Sequence, residues 1–322
     1  MRIYGLDELP RALRPQLATF AVSDGDPPQD YALLQELRRR GHPASDYWGV
    51  YAVEDHRIHS RVETLWLPFT GREGPETVVG IADVLTLPTA TGRGFARALL
   101  EEVHRRETTR GARWCFLWTH RTWGAHRLYQ SLGYEDVYSS PNALRGIPAT
   151  ARRTPPSGYR WTTARARDAD RLDRILATAT YRRLGFVPRS RGSTRVRFHF
   201  EWRRPENHRI LWHGRRAVGY AHLSSSSGRY LIVNEALVTA PDHLERMIDG
   251  LEALARGRWL TFQGTSLVRD AEASLRDRGY LLVPSSHSVL MAKPLGPMPA
   301  GGEDLRAVFT DPRFSSHRGD MF

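Results

Sequence analysis

Residues 84–100 read Val84-Leu85-Thr86-Leu87-Pro88-Thr89-Ala90-Thr91-Gly92-Arg93-Gly94-Phe95-Ala96-Arg97-Ala98-Leu99-Leu100. An apolar strand runs into a short loop with two glycines, and the loop opens a helix of apolar periodicity. Such a junction aims several backbone N–H groups, and the positive end of a helix, at one spot that suits a phosphate. A glycine loop alone is a weak signal, because an ordinary strand-to-helix turn uses glycine too. Phe95, Leu99 and Val103, with Ala96 and Leu100, form the apolar stripe of the helix, and Gly111 stops it. Arg113 to His120 reads as a buried strand. Thr122 to Leu132 reads as a second helix, which carries Tyr129 and ends at Gly133.

Together these segments resemble the GNAT superfamily of acyl-CoA-dependent N-acyltransferases. Its signature is Gln/Arg-x-x-Gly-x-Gly/Ala, followed downstream by a tyrosine-bearing helix that ends in Gly-Tyr or Gly-Phe. Gly94 and Ala96 stand at the two small positions, and Ala125 to Tyr134 supplies the helix. Thr91 departs from the pattern and removes one long side chain over the pyrophosphate. The resemblance implies a mixed α/β sheet with helices on both faces and acetyl-CoA as co-substrate. It implies a pyrophosphate held by the backbone of Thr91, Gly92, Arg93, Gly94, Phe95 and Ala96, with Arg93 adding charge. The pantetheine arm would pair along Val84, Leu85 and Thr86. Tyr129 would protonate the leaving thiolate, which a phenol that stays protonated at neutral pH can do. For the base, Asp83, His120, His126 and the carboxylate of Phe322 are all open.

Upstream, Met1 to Gly5 looks like an edge strand, and Asp7 to Val22 and Asp30 to Arg40 have helical spacing. Trp48 to Val53 and Ile58 to Pro68 alternate as antiparallel strands, and Thr77 to Leu87 is the long central strand. This first unit spans residues 1–138. Residues 139–158 hold Pro141, Pro148, Pro155 and Pro156 and read as a linker.

Residues 159–295 echo the first unit. Leu237-Val238-Thr239-Ala240-Pro241 matches the approach to Pro88, and Arg278-Gly279-Tyr280 matches Leu132-Gly133-Tyr134. The distance from Pro241 to Gly279 is shorter than that from Pro88 to Gly133, and no glycine loop follows Pro241. Leu275 falls where Tyr129 stands. The second unit is therefore expected to be a degenerate copy, without phosphate cradle or tyrosine, with a structural or substrate-shaping role. An active first unit and a degenerate second one resemble the enhanced intracellular survival family of amine acetyltransferases, without its third, sterol-carrier-like domain.

The chain has 322 residues, 40% of them hydrophobic and 25% charged, a globular composition. One cysteine, Cys115, excludes an internal disulfide framework and reads as a buried strand thiol. The N-terminus lacks the form of a signal peptide and no apolar run is long enough to span a membrane, so a cytoplasmic address is expected. The net charge of +12 comes almost entirely from arginine, Lys293 being the only lysine. The arginines are scattered, so nucleic-acid binding is not expected, and the thirteen histidines show no metal spacing. Trp48, Trp66, Trp118 and Trp123 could line an amine pocket.

The tail, residues 296–322, is rich in phenylalanine and ends on Phe322. It is expected to dock near the first unit's active site, where the resemblance places a carboxylate able to act as base. Packing on the second unit or on a partner subunit of a homo-oligomer is the alternative. The expected activity is acetyl-CoA-dependent N-acetylation of a small amine by direct transfer. The alternatives are a protein N-acetyltransferase and a non-catalytic CoA-binding regulatory module.

Overall fold

Val78 to Ala82 is buried on both faces, as befits a central strand, and lies in the middle of the long strand Pro75–Thr86. In the computed structural model the described residues are 1–17, 48–150, 158–186, 194, 207–263, 265, 267–283, 287–296 and 304–315. They form two compact units. The first is Met1–Tyr138 with Val289–Ala307, and the second is Ser139–Ser288 with the described residues from Val308 onward.

The first unit contains β1 (Arg2–Gly5), β2 (Trp48–Glu54), β3 (Arg57–Thr70), β4 (Pro75–Thr86), α1 (Phe95–Thr109), β5 (Trp114–His120), α2 (Gly124–Ser131) and β6 (Glu135–Tyr138). β1 to β4 pair antiparallel, and β4 pairs parallel with β5. Phe95, Leu99, Leu100 and Val103 of α1 are buried against Val79, Ile81, Cys115 and Leu117 of the central strands. At roughly 1.5–3 kcal/mol per fully buried large apolar side chain, this stripe is the main hold on the helix.

The expected helix from Asp7 is a 3-10 helix over Arg11–Gln16. Pro10 and Pro15 prevent a regular α-helix there, yet Leu9, Leu13 and Leu17 still bury one side of it. The expected helix Asp30 to Arg40 lies outside the described residues.

The second unit contains β7 (Asn142–Gly146), β8 (Tyr159–Thr163), α3 (Ala169–Ala179), β9 (Leu184–Gly185), β10 (His208–His213), β11 (Arg216–Ser226) and β12 (Tyr230–Val238). It continues with α4 (Leu244–Leu254), β13 (Trp259–Gln263), α5 (Leu267–Asp270), α6 (Glu272–Asp277) and β14 (Leu281–Val283). β15 (Ser288–Pro294) and α7 (Arg306–Phe309) follow, and β16 (Phe314–Ser315) is the last element described.

The two sheets repeat position for position. The first unit's order is β1-β2-β3-β4-β5-β15-β6, and the second unit's is β8-β10-β11-β12-β13-β7-β14. Two expected boundaries change accordingly. The stretch expected to be a linker, 139–158, contains β7, whose Asn142–Gly146 pairs antiparallel with β13 and whose Asn142–Leu144 pairs with β14. Residues 289–295, expected in the second unit, complete the first unit's sheet: β15 pairs with β6, and Leu295 donates its N–H to the Arg113 carbonyl at 2.9 Å. Prolines flank β7 but spare its own backbone donors, so a proline-rich reading hides the strand.

Both units close the helix before β6 or β14 in the same way. Gly133 and Gly279 have φ of +87° and +78°. Tyr134 N–H donates to the Tyr129 carbonyl at 3.1 Å, and Tyr280 N–H to the Leu275 carbonyl at 2.9 Å. This equivalence sets Leu275 against Tyr129. Of the described part of the tail, residues 304–307 belong to the first unit and those from Val308 to the second, the alternative expected for it. Phe309 and Phe314 are buried and pack edge to face at 4.9 Å within the second unit. Phe314 and Ser315 pair parallel with Leu184 and Gly185. Gly185 has φ of +97°, and a Cβ there would stand 2.5 Å from the Phe314 ring, so glycine is required.

Candidate functional site

β4 and β5 share ladder pairs only at Val79–Cys115, Gly80–Phe116 and Ile81–Leu117. β4 continues to Thr86 and β5 to His120, so the two strands part beyond Ile81 and Leu117. A bulge sits at the parting. Ala82 faces Glu63 and Leu85 faces Arg61, leaving two residues of β4 opposite one of β3. Asp83 takes the left-handed conformation there, with φ of +44°. Its carboxylate lies 3.6 Å from the buried Arg61 guanidinium, which is also 3.3 Å from Glu63. A non-glycine residue held in this region costs of order 1–3 kcal/mol, and such strain clusters at functional sites.

Beyond the bulge, Leu87 N–H donates to the His59 carbonyl at 2.9 Å. Strand alternation then turns the N–H and C=O of Thr86 toward the gap left by β5. The gap opens onto a cavity of about 430 Å³, walled by Thr86, residues 90–92 and 94 of the loop, the first turn of α1, and Gly124, Ala125 and Leu128 of α2. Gly92 and Gly94 have φ of +79° and +83°, and a Cβ on either would meet nothing within 4 Å. The backbone therefore borders open space. Ala98 is the first residue of α1 to donate back into the helix, to the Gly94 carbonyl at 3.1 Å. The N–H groups of Phe95, Ala96 and Arg97 precede the helical ladder and have no intrahelical acceptor. Exposed donors at a helix N-terminus, bordering a cavity through glycines, fit the pyrophosphate of an acyl-CoA.

The expected cofactor residues divide. Thr86, Thr91, Gly92, Gly94, Phe95 and Ala96 wall the cavity. The Phe95 ring turns away and stacks on His59, 5.3 Å between centroids, so only its backbone serves the loop. Val84 and Leu85 lie in the bulged segment and pack partly against the core. Thr91 Oγ1 donates to the Leu87 carbonyl at 3.4 Å, so its side chain is tied to its own loop.

Arg93 departs from expectation. Its guanidinium pairs with Glu54, whose carboxyl is held below the usual range mainly by that hydrogen bond. The cavity's arginine is Arg97, one turn further along, which donates to Ser131 Oγ at 2.5 Å. The sequence signal for Arg97 was its place in the first turn of α1, behind the loop.

Tyr129 follows Leu128, a cavity wall, on α2. It is 6% exposed and packs edge to face on Tyr134, with ring centroids 5.9 Å apart. Burial pushes its hydroxyl up to about 12, so it is fully protonated at neutral pH. Tyr134 belongs to a buried chain of contacts. His104 Nε2 lies 2.8 Å from the Tyr134 hydroxyl, which donates to Cys115 Sγ at 3.1 Å. Lys293 of β15 donates to the Leu132 carbonyl at 2.6 Å, at the end of α2. Burial pushes the Cys115 thiol up to about 12, which keeps it unreactive.

Among the candidate bases, His126 is buried and bonded to Asp136 at 2.8 Å. His120 bonds Thr122 Oγ1 at 2.7 Å and stacks on Trp123, 5.7 Å between centroids. Asp83 stands at the parting of the strands. Phe322 lies outside the described residues.

The tryptophans go separate ways. Trp66 donates to Glu107 at 2.7 Å under the Arg110 guanidinium, and Trp118 packs edge to face on Tyr138. Trp123 is 62% exposed at the start of α2, and the side chain of Trp48 is outside the described residues. Among the described residues no three His, Cys, Asp or Glu side chains gather as a metal site, and no helix is long and apolar enough to cross a membrane.

Residues 1–137 match the family model of the acetyltransferase (GNAT) domain. No curated protein matches the sequence. A probable N-acyltransferase from Enterococcus faecalis V583 superposes with a TM-score of 0.65 at 12% identity, over 91% of this chain and 72% of that one. A GCN5-related N-acetyltransferase from Kribbella flavida gives 0.62 at 17% identity, over 91% and 72%. Eis1 from Mycobacterium abscessus gives 0.50 at 17% identity, over 75% and 63%. At these identities the structural likeness speaks for the fold, and its breadth takes in both units.

Proposed function

We propose, from the match of residues 1–137 to the acetyltransferase (GNAT) domain family, that the chain is an acetyl-CoA-dependent N-acetyltransferase of a small amine. The observation that carries the proposal is the parting of β4 and β5 directly above the free donors of the α1 N-terminus. An acyl-CoA meets there an open strand edge for its amides and a cradle for its pyrophosphate. When bound, it supplies the acetyl group as an activated thioester.

The residues of the chain do the rest. Gly92, Gly94 and the N–H groups of Phe95, Ala96 and Arg97 hold the phosphates, and Arg97 adds charge. The Thr86 peptide orients the pantetheine arm. A neutral amine attacks the acetyl carbon, the new C–N bond replaces the C–S bond, and the amine gives up one proton. Asp83 takes that proton, directly or through a water, and Tyr129 delivers one to the departing sulfur. A carboxylate at Phe322, expected from the sequence, is the rival acceptor of the amine proton.

A second reading has one observation in its favour. Thr91 supplies no long side chain over the pyrophosphate and Arg93 is engaged with Glu54, which would suit a module that binds CoA without turnover. Incubating the chain with acetyl-CoA and a pooled amine library, with mass spectrometry of the products, separates the two. An amine that gains one acetyl group only in the presence of the chain supports the enzyme. Saturable acetyl-CoA binding with no acetylated product across the library removes it.

A further inference from the structure

The second unit lost its phosphate cradle but kept the strand parting. β12 pairs with β13 from Tyr230–Trp259 to Val233–Phe262 and then continues to Val238 with β11 alone as its neighbour. A bulge falls at the same relative place as in β4. Val233 faces Leu223 and Glu235 faces His222, which leaves Asn234 as the extra residue. Thr239 N–H donates to the Val218 carbonyl at 2.9 Å. Alternation therefore turns the peptide groups of Ala236 and Val238 away from β11, toward the space that β13 has left.

That space is a cavity of about 420 Å³, within the size range of small-molecule sites. Besides residues 236–241, its walls include Thr178, Leu267 and Tyr181, the last 72% exposed. Arg183 and Asp270 form a two-pronged pair beside it, at 2.9 and 2.6 Å, which leaves no net charge there.

The helix start that follows is built against phosphate. α4 begins three positions after Pro241, whereas α1 begins seven after Pro88. Pro241 has no N–H, His243 N–H is bonded to the Ala240 carbonyl at 3.1 Å, and Asp242 sets a carboxylate at the helix entrance.

We propose that this cavity is a second ligand site, which takes an extended, unphosphorylated secondary-amide chain along the open edge of Ala236 and Val238. Both a pantetheine arm and a short peptide have this chemistry. The site is independent of acetyl transfer by the first unit.

The test is backbone amide NMR of the full chain, titrated separately with pantetheine, with a blocked dipeptide methylamide and with 3′,5′-ADP. The amide signals of Ala236 and Val238 are expected to shift saturably with at least one of the first two, the tighter of which identifies the source, and to stay still with 3′,5′-ADP. Thr178→Trp fills the cavity and is expected to abolish the shifts at unchanged melting temperature. The proposal is overturned if neither amide probe moves these signals, if 3′,5′-ADP moves them equally, or if the shifts survive in a folded Thr178→Trp. Should that variant fail to fold, the wild-type titrations still decide: shifts spread evenly over the second unit, without focus on residues 236–241, overturn it.

Discussion

Gly94 offers a quantitative handle on the phosphate cradle. It caps α1 with φ of 83° and ψ of 2°, and an added Cβ would meet nothing within 4 Å. Gly94→Ala therefore costs backbone strain alone, about 1–2 kcal/mol for a left-handed non-glycine residue. That lowers the melting temperature by about 2–4 °C per kcal/mol for a unit of this size. Gly94→Glu carries the same strain and adds a carboxylate at the cradle. Two unit charges about 4 Å apart repel by about 1 kcal/mol in bulk water and about 4 kcal/mol near a protein surface. The expected loss of acetyl-CoA affinity, beyond that of Gly94→Ala, is thus about 5- to 10³-fold. Calorimetry of both variants reads it directly. Screening shortens from about 10 Å at 0.1 M salt to about 3 Å at 1 M, so the gap between the variants should narrow at high salt. If both variants are folded and bind acetyl-CoA equally at low salt, the pyrophosphate does not lie at the α1 N-terminus.

Asp83→Asn keeps a residue that tolerates the left-handed conformation and should lower turnover at least about tenfold, with acetyl-CoA affinity unchanged; wild-type turnover would remove Asp83 as base. The rival base makes its own prediction: deleting Met321 and Phe322 should cut turnover while the melting temperature and CoA affinity hold, and a wild-type rate would exclude a catalytic carboxylate there. Stability should fall in acid. Burial pushes His104 in the first unit and His208 in the second down to about 3 from an ordinary 6.5. Unfolding exposes both to protonation, so their contribution is complete above about pH 6.5 and is lost as the pH falls toward 3. At pH 4.5 the two-unit gap is worth about 3 kcal/mol for each histidine. A denaturant midpoint unchanged between pH 7 and 4.5 would contradict this.

Local signals carried much of the first unit. The strand, loop and helix of residues 84–100 and the Tyr129 helix are encoded by neighbours in sequence, and the structure forms them. The echo at Gly279-Tyr280 proved structural, since both helices close by the same left-handed glycine and the same long hydrogen bond. What was not legible depends on pairing across long stretches of chain. β7 is five residues of mixed polarity between prolines, and only its ladders with β13 and β14 make it a strand. β15 reads as an ordinary strand, and nothing in its own residues says that it completes the first unit's sheet. Side-chain partners were hidden for the same reason. Arg93 reads as a phosphate ligand, but its guanidinium pairs with Glu54, 39 residues upstream. His126 reads as one of four open candidates for the base, and only the fold puts Asp136, ten residues downstream, on its ring nitrogen. The second repeat is shorter at two places: α4 starts three positions after Pro241 where α1 starts seven after Pro88, and it has 11 residues in place of 15.

Thiol release from acetyl-CoA across an amine panel, with Tyr129→Phe run in parallel, tests the central claim most directly. The buried Cys115 adds little background to a thiol reagent, because it is unexposed and its thiol is pushed up to about 12. The account predicts amine-dependent release that falls about 10²-fold or more in Tyr129→Phe, while acetyl-CoA affinity changes little. Release that no amine raises above the amine-free rate, or a Tyr129→Phe variant that turns over at the wild-type rate, would contradict it.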